Sequence, residues 1–303
     1  MIPFRRITPS DKAEYETHLA LSGERGCEYA FANQLLWGRQ EIAFIHGCVL
    51  FFSHSFGRSV YPYPIGSGDK KAAVLAMLED ARKRGIPCRI TGMTEADRQE
   101  LEALFPGQFQ IWPQRANFDY VYSIDALADL KGKKLQKKRN HVNRFRTQRP
   151  DYRVEPLTAC NLPRVQHMVN DWYVSRRKSD PEGDYMLESL AMARAFRHFD
   201  GMKMEGLVLL QGDEVLAVTL GSRLSADTFD IHFEKAREEA DGAYPTINCE
   251  FARYLREKYP QVRYLNREDD MGLEGLRKAK LSWCPDHMIE KYWACLTEDI
   301  YED

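Results

Sequence analysis

A chain of 303 residues with 44% hydrophobic and 29% charged residues has the make-up of a folded globular protein, long enough for two domains of ordinary size. A net charge of −2 gives no bulk attraction to nucleic acid or to an anionic membrane. No run of about 18 apolar residues occurs, the start MIPFRRITPSDKAEYE is too polar for a secretory leader, and the seven cysteines form no CxxC pair, which together point to free thiols in a cytoplasmic protein without a zinc site.

Residues 11–20 read as a helix capped by Ser10. CVLFFSHSF (48–56) and SVYPYPIG (59–66) read as two strands across a turn at Gly57-Arg58. A helix starts at Asp69, with Val74, Leu75 and Leu78 apolar, and closes through Lys83 and Arg84 before Gly85. IPCRITGM (86–93) is a strand, an acidic helix follows from Thr94, and FDYVYSI (118–124) is a further strand. KGKKLQKKRNHVNRFRTQR (131–149) then holds nine Lys or Arg and no acid, so the rest of the chain carries −11. Wound as a helix, this segment puts Leu135, Val142 and Phe145 on one face, flanked by Lys138 and Arg139. Lys137, Asn140 and Arg144 face the other way. The ridge either neutralises an acidic body or docks the phosphates of a coenzyme, a tRNA or a lipid head group. It has no interleaved aromatics for stacking single-stranded bases.

The second half reads as an amphipathic helix (162–177), a polar loop (178–185), a helix to about residue 199 and a hairpin (206–224) turning at Gly212-Asp213. The strand DTFDIHFEKA (227–236), a loop with Gly242 and Pro245, the helix TINCEFARYLREKY (246–259) and the strand VRYLNR (262–267) follow. HMIEKYWACL (287–296) is a last strand. This order predicts an α+β fold of mixed sheets covered by helices, divided at residues 1–150 and 151–303.

The chemistry concentrates in NREDDMGLEGLRKAK (266–280). Glu268, Asp269 and Asp270 follow a strand and precede a helix, where acids complement the helix dipole or face a ligand. Consecutive carboxylates on an extended chain point apart, which speaks against a metal. On the helix after Gly272, Lys280 shares a stripe with Leu273, Leu276 and Trp283, and Lys278 points outward. A lysine there snorkels or needs an anion: Glu268, Asp269, Asp270 or a ligand. The Gly242 loop can present N–H groups to a phosphate, and His232 reads as structural. No nucleophile elbow, Walker A loop, GxGxxG or HExxH is present.

GLRKAKLSWCPDHMIEKY (275–292), with Gly275, Leu276, Arg277, Lys280, Pro285 and Tyr292, resembles the end of the C-terminal domain of phosphatidylglycerol lysyltransferase. LKGKKLQKKRNHVNRF (130–145) and NREDDMG resemble a bacterial subgroup of that family, and the likeness covers roughly residues 20 to 295. It implies two tandem GNAT-like (acyl-CoA N-acyltransferase) domains, each a mixed sheet flanked by helices, similar to the Fem peptidyltransferases. The activity it implies is transfer of an acyl or aminoacyl group from a phosphate-containing donor, aminoacyl-tRNA or acyl-CoA, to an amine or hydroxyl on a small molecule or lipid head group. No other cofactor and no metal are implied. The membrane flippase part of the lysyltransferases is not in this chain. Asp230, Glu268 and Lys280 are then the catalytic candidates. Arg277, Asn266, Tyr244 and Asp270 would bind substrate, and Lys137, Lys138, Arg139 and Arg144 the donor phosphates. The family's strand carries an Arg three residues after the Asp; here Phe233 stands in that place. That departure motivates an alternative, a non-catalytic binding module on the same scaffold that recognises an anionic partner.

Overall fold

The computed structural model describes residues 1–55, 57–180 and 185–298. Phe56, at the end of one expected strand, and residues 181–184 of the expected polar loop lie outside the described residues. The chain begins with β1 (Arg5–Arg6), α1 (Lys12–Ala20), α2 (Phe31–Leu36), β2 (Gln40–Ile45), β3 (Cys48–Ser55) and β4 (Arg58–Pro62). It continues through α3 (Lys70–Arg84), β5 (Ile90–Met93), α4 (Glu95–Leu104), β6 (Phe109–Pro113), β7 (Asp119–Ser123), α5 (Ile124–Asp129) and α6 (Gln136–Gln148). Next come β8 (Tyr152–Pro156), α7 (Leu162–Ser179), α8 (Met186–His198), β9 (Glu205–Gln211), β10 (Glu214–Arg223) and β11 (Thr228–Ala236). It closes with α9 (Ala243–Lys258), β12 (Tyr264–Asn266), α10 (Glu274–Leu281), β13 (His287–Ile289) and β14 (Tyr292–Leu296).

These strands build two seven-stranded sheets, ordered β1-β2-β3-β4-β5-β14-β6 and β8-β9-β10-β11-β12-β7-β13. The second order repeats the first seven strands later, except that the seventh strands are exchanged: β14 lies between β5 and β6, and β7 between β12 and β13. Each sheet has a parallel neighbouring pair, β4–β5 in the first and β11–β12 in the second. A parallel pair needs a crossover, and α3 and α9 supply it. The expected α+β fold, two tandem GNAT-like halves with helix-flanked mixed sheets, is borne out. HMIEKYWACL, expected as one strand, is two: β13 joins the second sheet and β14 the first.

The chain divides into two compact units, Met1–Asp119 with Asp269–Leu273 and Met288–Asp303, and Tyr120–Glu268 with Glu274–His287. Local chemistry sets the helix ends. In α3 the Asp69 carboxylate accepts from the Ala72 N–H at 2.9 Å, and Gly85 closes the helix in the left-handed region at φ 66°. Ala73, Val74, Met77, Asp80 and Ala81 are its buried residues, while Leu75, expected on the apolar face, is exposed. Thr94 caps α4 in a capping box with Asp97. The basic helix α6, placed by the sequence within residues 1–150, belongs to the second unit, where it packs against α9. Its expected docking residues Leu135, Val142 and Phe145 are buried.

Candidate functional site

The site is built around β11 in the second unit. α7 and α9 both pack on this strand, which is buried along nearly its whole length. Even so, alternate residues Asp230, His232 and Glu234 are polar. The register with β10 skips His232, with Leu220 opposite Phe233 and Gly221 opposite Ile231, so a bulge there keeps Asp230 and His232 together as a polar row inside the fold and turns Glu234 to the α9 face, and each must find partners there. The neighbouring strands provide them. Ser222 of β10 and Asn266 of β12 stand opposite Asp230 on its two sides.

His232 is the hub of the row. Its Nε2 lies 2.8 Å from the Ser222 hydroxyl. Its Nδ1 lies 3.4 Å from Asp230 Oδ2 and 3.4 Å from Glu268 Oε1. The side chains of Asp230 and His232 are wholly buried, whereas Glu268 is 23% exposed and is the member of the group that reaches solvent. Asn266 holds the approach: its side-chain oxygen accepts from the Glu268 N–H at 2.8 Å. Glu268 sits at φ 59°, a conformation rare for a residue with a side chain, at the point where the chain leaves the strand.

On the α9 face, Glu234 meets positive charge. Arg267 donates to Glu234 at 3.0 Å, and Asn248 of α9 donates to the other Glu234 oxygen at 3.3 Å. The Arg267 guanidinium stacks over Trp283 (5.3 Å) and Tyr122 (5.7 Å). Among the described residues its Nη1 is buried with no hydrogen-bond acceptor. Lys138 of α6 lies over the same Trp283 ring at 4.5 Å, and burial, followed by the Arg267 charge, lowers its pKa. The Lys280 ammonium donates to the Arg267 carbonyl and sits 5.8 Å from the centre of the Tyr120 ring.

The sequence-predicted residues are therefore distributed as follows. Asp230, Asn266, Glu268 and Lys280 belong to one group in the second unit. The three consecutive acids separate: Asp269 and Asp270 belong to the first unit, where Asp270 is buried and accepts from Arg115 at 3.1 Å. α10 has no buried residue; Leu273 precedes it and is exposed, and Leu276, Arg277 and Lys280 are half-buried. Lys278 points outward and pairs with Glu274, as its wheel position requires. Tyr244 stands on the first turn of α9; its ring edge is exposed, but its hydroxyl turns in toward the Ala236 backbone, where burial pushes it up to about 12.

Among the basic candidates, Lys137 is exposed, and Arg144 is exposed and pairs with Asp241. Arg139 donates to the Leu130 carbonyl at 2.6 Å at the end of α5, so Lys138 is the one drawn into the site. His232, read as structural from its strand, Ser222, Glu234 and Arg267 are the members the sequence reading missed. The signal was the polar alternation in TFDIHFEKA, which an exposed edge strand would show equally.

The family model described as phosphatidylglycerol lysyltransferase, C-terminal, matches residues 19–295. A conserved protein of unknown function from Bacteroides thetaiotaomicron is 37% identical, with a TM-score of 0.92 over 98% of this chain and all of that one. L-PGS from Bacillus licheniformis shares the fold at 15% identity and a TM-score of 0.67, covering 96% of this chain and 94% of its own. FemX does so at 13% identity and a TM-score of 0.62, covering 99% of each chain. An uncharacterized protein of Mycoplasmoides gallisepticum is 28% identical over 178 residues, 57% of this chain, and the match spans about half, 54%, of that relative's length. Since the family match takes in all of the second sheet, all of the first but β1 and the last residue of β14, and every residue of the site, the chain belongs to the phosphatidylglycerol lysyltransferase C-terminal family.

Proposed function

We propose that the protein is an acyl- or aminoacyl-transferase that moves its group from a phosphate-containing donor to an amine or hydroxyl acceptor. The observation that carries this reading is Glu268, a solvent-reaching carboxylate joined through His232 to a buried Asp230, beside the cationic group of Arg267, Lys138 and Lys280.

Acyl transfer needs a base, because the acceptor must give up a proton as it attacks the carbonyl. Glu268 takes that proton while the new N–C or O–C bond forms and the bond to the donor's oxygen or sulfur breaks. His232 and Asp230 hold Glu268 in place and share the charge behind it. Arg267 and Lys138 hold the donor phosphates. Lys280 acts as a positioning residue: it fixes the backbone at Arg267 and so the direction of that guanidinium. Arg277 of α10 binds the acceptor. The family's description, phosphatidylglycerol lysyltransferase, supports an aminoacyl donor.

The test is direct. The purified protein is incubated with lysyl-tRNA or acetyl-CoA and either phosphatidylglycerol vesicles or ethanolamine, and products are read by mass spectrometry. Transfer that disappears in Glu268→Gln sustains the reading; no product from any pair, or full activity in Glu268→Gln, removes it. The complete burial of the Asp230 and His232 side chains favours one competitor, a binding module for an anionic partner. That reading predicts tRNA or acyl-CoA binding without any product.

A further inference from the structure

A pocket of about 410 Å³ opens in the first unit and shares no residue with the site above. Its more buried cation is Arg25, only 7% exposed. Every Arg25 hydrogen bond runs through Nη1: to Asp97 at 2.5 Å, to the Glu24 carbonyl at 3.3 Å and to the Thr94 hydroxyl at 3.4 Å. Asp97 is itself fixed by the capping box of α4, and the Tyr29 ring lies 5.8 Å from the guanidinium carbon, so the plane of the group is set. Among the described residues, Nε is buried and has no acceptor.

A guanidinium grips an oxyanion best through two parallel N–H bonds along one edge. Here the edge that carries Nε is the unused one. Among the described residues Nη2 on this edge makes no hydrogen bond and, unlike the buried Nε beside it, keeps accessible surface, so it is the donor offered to a ligand oxygen. Lys70, the first residue of α3, adds a second cation to the lining; it is half-buried and donates to the Pro64 carbonyl at 2.7 Å.

The lining also holds Asp97 and Glu100, so its two cations are balanced by two carboxylates. Glu100 is exposed and accepts from the Tyr63 hydroxyl at 2.9 Å, with further acceptor capacity to spare. A ligand with net charge would leave one side of this lining uncompensated, whereas a ligand carrying both charges matches it. We propose that the pocket binds a small zwitterion, an amino acid or short peptide, with its carboxylate on the Arg25 edge and Lys70 and its ammonium on Glu100. The pocket volume admits a dipeptide. This inference does not rest on the transfer reading, because it uses no residue of the β11 site.

Binding to the full chain is measured by calorimetry or NMR with glycylglycine, its N-acetyl and C-terminal amide forms, and inorganic phosphate. Glycylglycine is expected to bind, and each capped form to bind at least about tenfold more weakly. Arg25→Lys keeps a cation for Asp97 but lacks the free edge, and is expected to weaken glycylglycine about tenfold with a melting temperature close to wild type. Glu100→Gln is expected to weaken glycylglycine and leave N-acetyl-glycylglycine unchanged. If Arg25→Lys does not fold, Glu100→Gln and the capped peptides decide. Loss of binding for all four probes, equal binding of the N-acetyl form, or tighter binding of phosphate than of glycylglycine would each overturn the proposal.

Discussion

Lys291, the residue before β14, and Asp119, the first residue of β7, form a buried ion pair at 2.7 Å. These residues stand at the leading ends of the two exchanged strands. Asp119 also accepts from the Cys27 N–H at 2.6 Å, and Lys291 reaches the Glu28 carboxylate as well. Burial works against the lysine's charge, but Asp119, Cys27 and Glu28 outweigh it and hold its pKa well above the usual range. The space for the pair is made by glycines: a Cβ at Gly26 would meet Glu28 and Lys291 closer than 2.5 Å, and one at Gly92 would meet Glu28 at 2.8 Å.

Removing the lysine leaves two carboxylates without their cation. Lys291→Met is expected to lower unfolding free energy by about 3–5 kcal/mol, the usual cost of breaking a buried pair from one side. Lys291→Met with Asp119→Asn should recover part of that loss. Urea denaturation of the single and double variants measures both.

Glu28 predicts a pH dependence. Burial, reinforced by Asp119 and opposed by Lys291, pushes its carboxyl up to about 7. The unfolded carboxyl titrates near ~4.3. Between those values the folded state binds the extra proton, so Glu28 contributes stability that falls as pH rises from about 4.3 towards 7. Glu28→Gln should flatten the stability profile in this window, by about 1–3 kcal/mol in total. Thermal unfolding from pH 4.5 to 8 follows it; an unchanged slope in the variant would assign the dependence to other groups.

The relay around His232 predicts a graded loss. Glu268→Gln removes the base and should reduce transfer by about 10²–10⁴-fold while changing stability by less than ~1 kcal/mol. His232→Asn should reduce transfer less but destabilise more, since it leaves the buried Asp230 without its imidazole neighbour. Comparing turnover with urea midpoints separates the two effects.

The cations separate by salt. Lys137→Ala with Arg144→Ala removes two exposed charges and should lower tRNA affinity with a smaller salt slope, leaving stability within about 0.5 kcal/mol. Arg267→Lys keeps a charge but loses the planar stack on Trp283 and weakens the Glu234 pair. It should cost about 1–3 kcal/mol in stability as well as donor affinity. Filter binding across salt concentrations and thermal unfolding check both variants.

Local chemistry made much of this molecule legible. The Asp69 and Thr94 caps, the Gly85 stop, the Gly212-Asp213 hairpin and the inward face of α6 are all set by residues within a few positions of one another, and each appears where the sequence placed it. The outward position of Lys278 was legible for the same reason, as helix periodicity fixes direction. The sequence alone therefore determined the α+β class, the tandem plan through its family motif, and the positions of most helices.

Tertiary structure decided what depends on distant pairing. No local pattern shows that β14 enters the first sheet and β7 the second, because a strand's hydrophobic alternation names a face and not a neighbour. That exchange splits HMIEKYWACL into two strands, sends Glu268 to one unit and Asp269 and Asp270 to the other, and brings Lys291 against Asp119. The place of His232 was hidden for the same reason: polar alternation marks an exposed strand as readily as a buried one, and only the packing of α7 and α9 on β11 buried Asp230 and His232 where they had to find partners inside the fold.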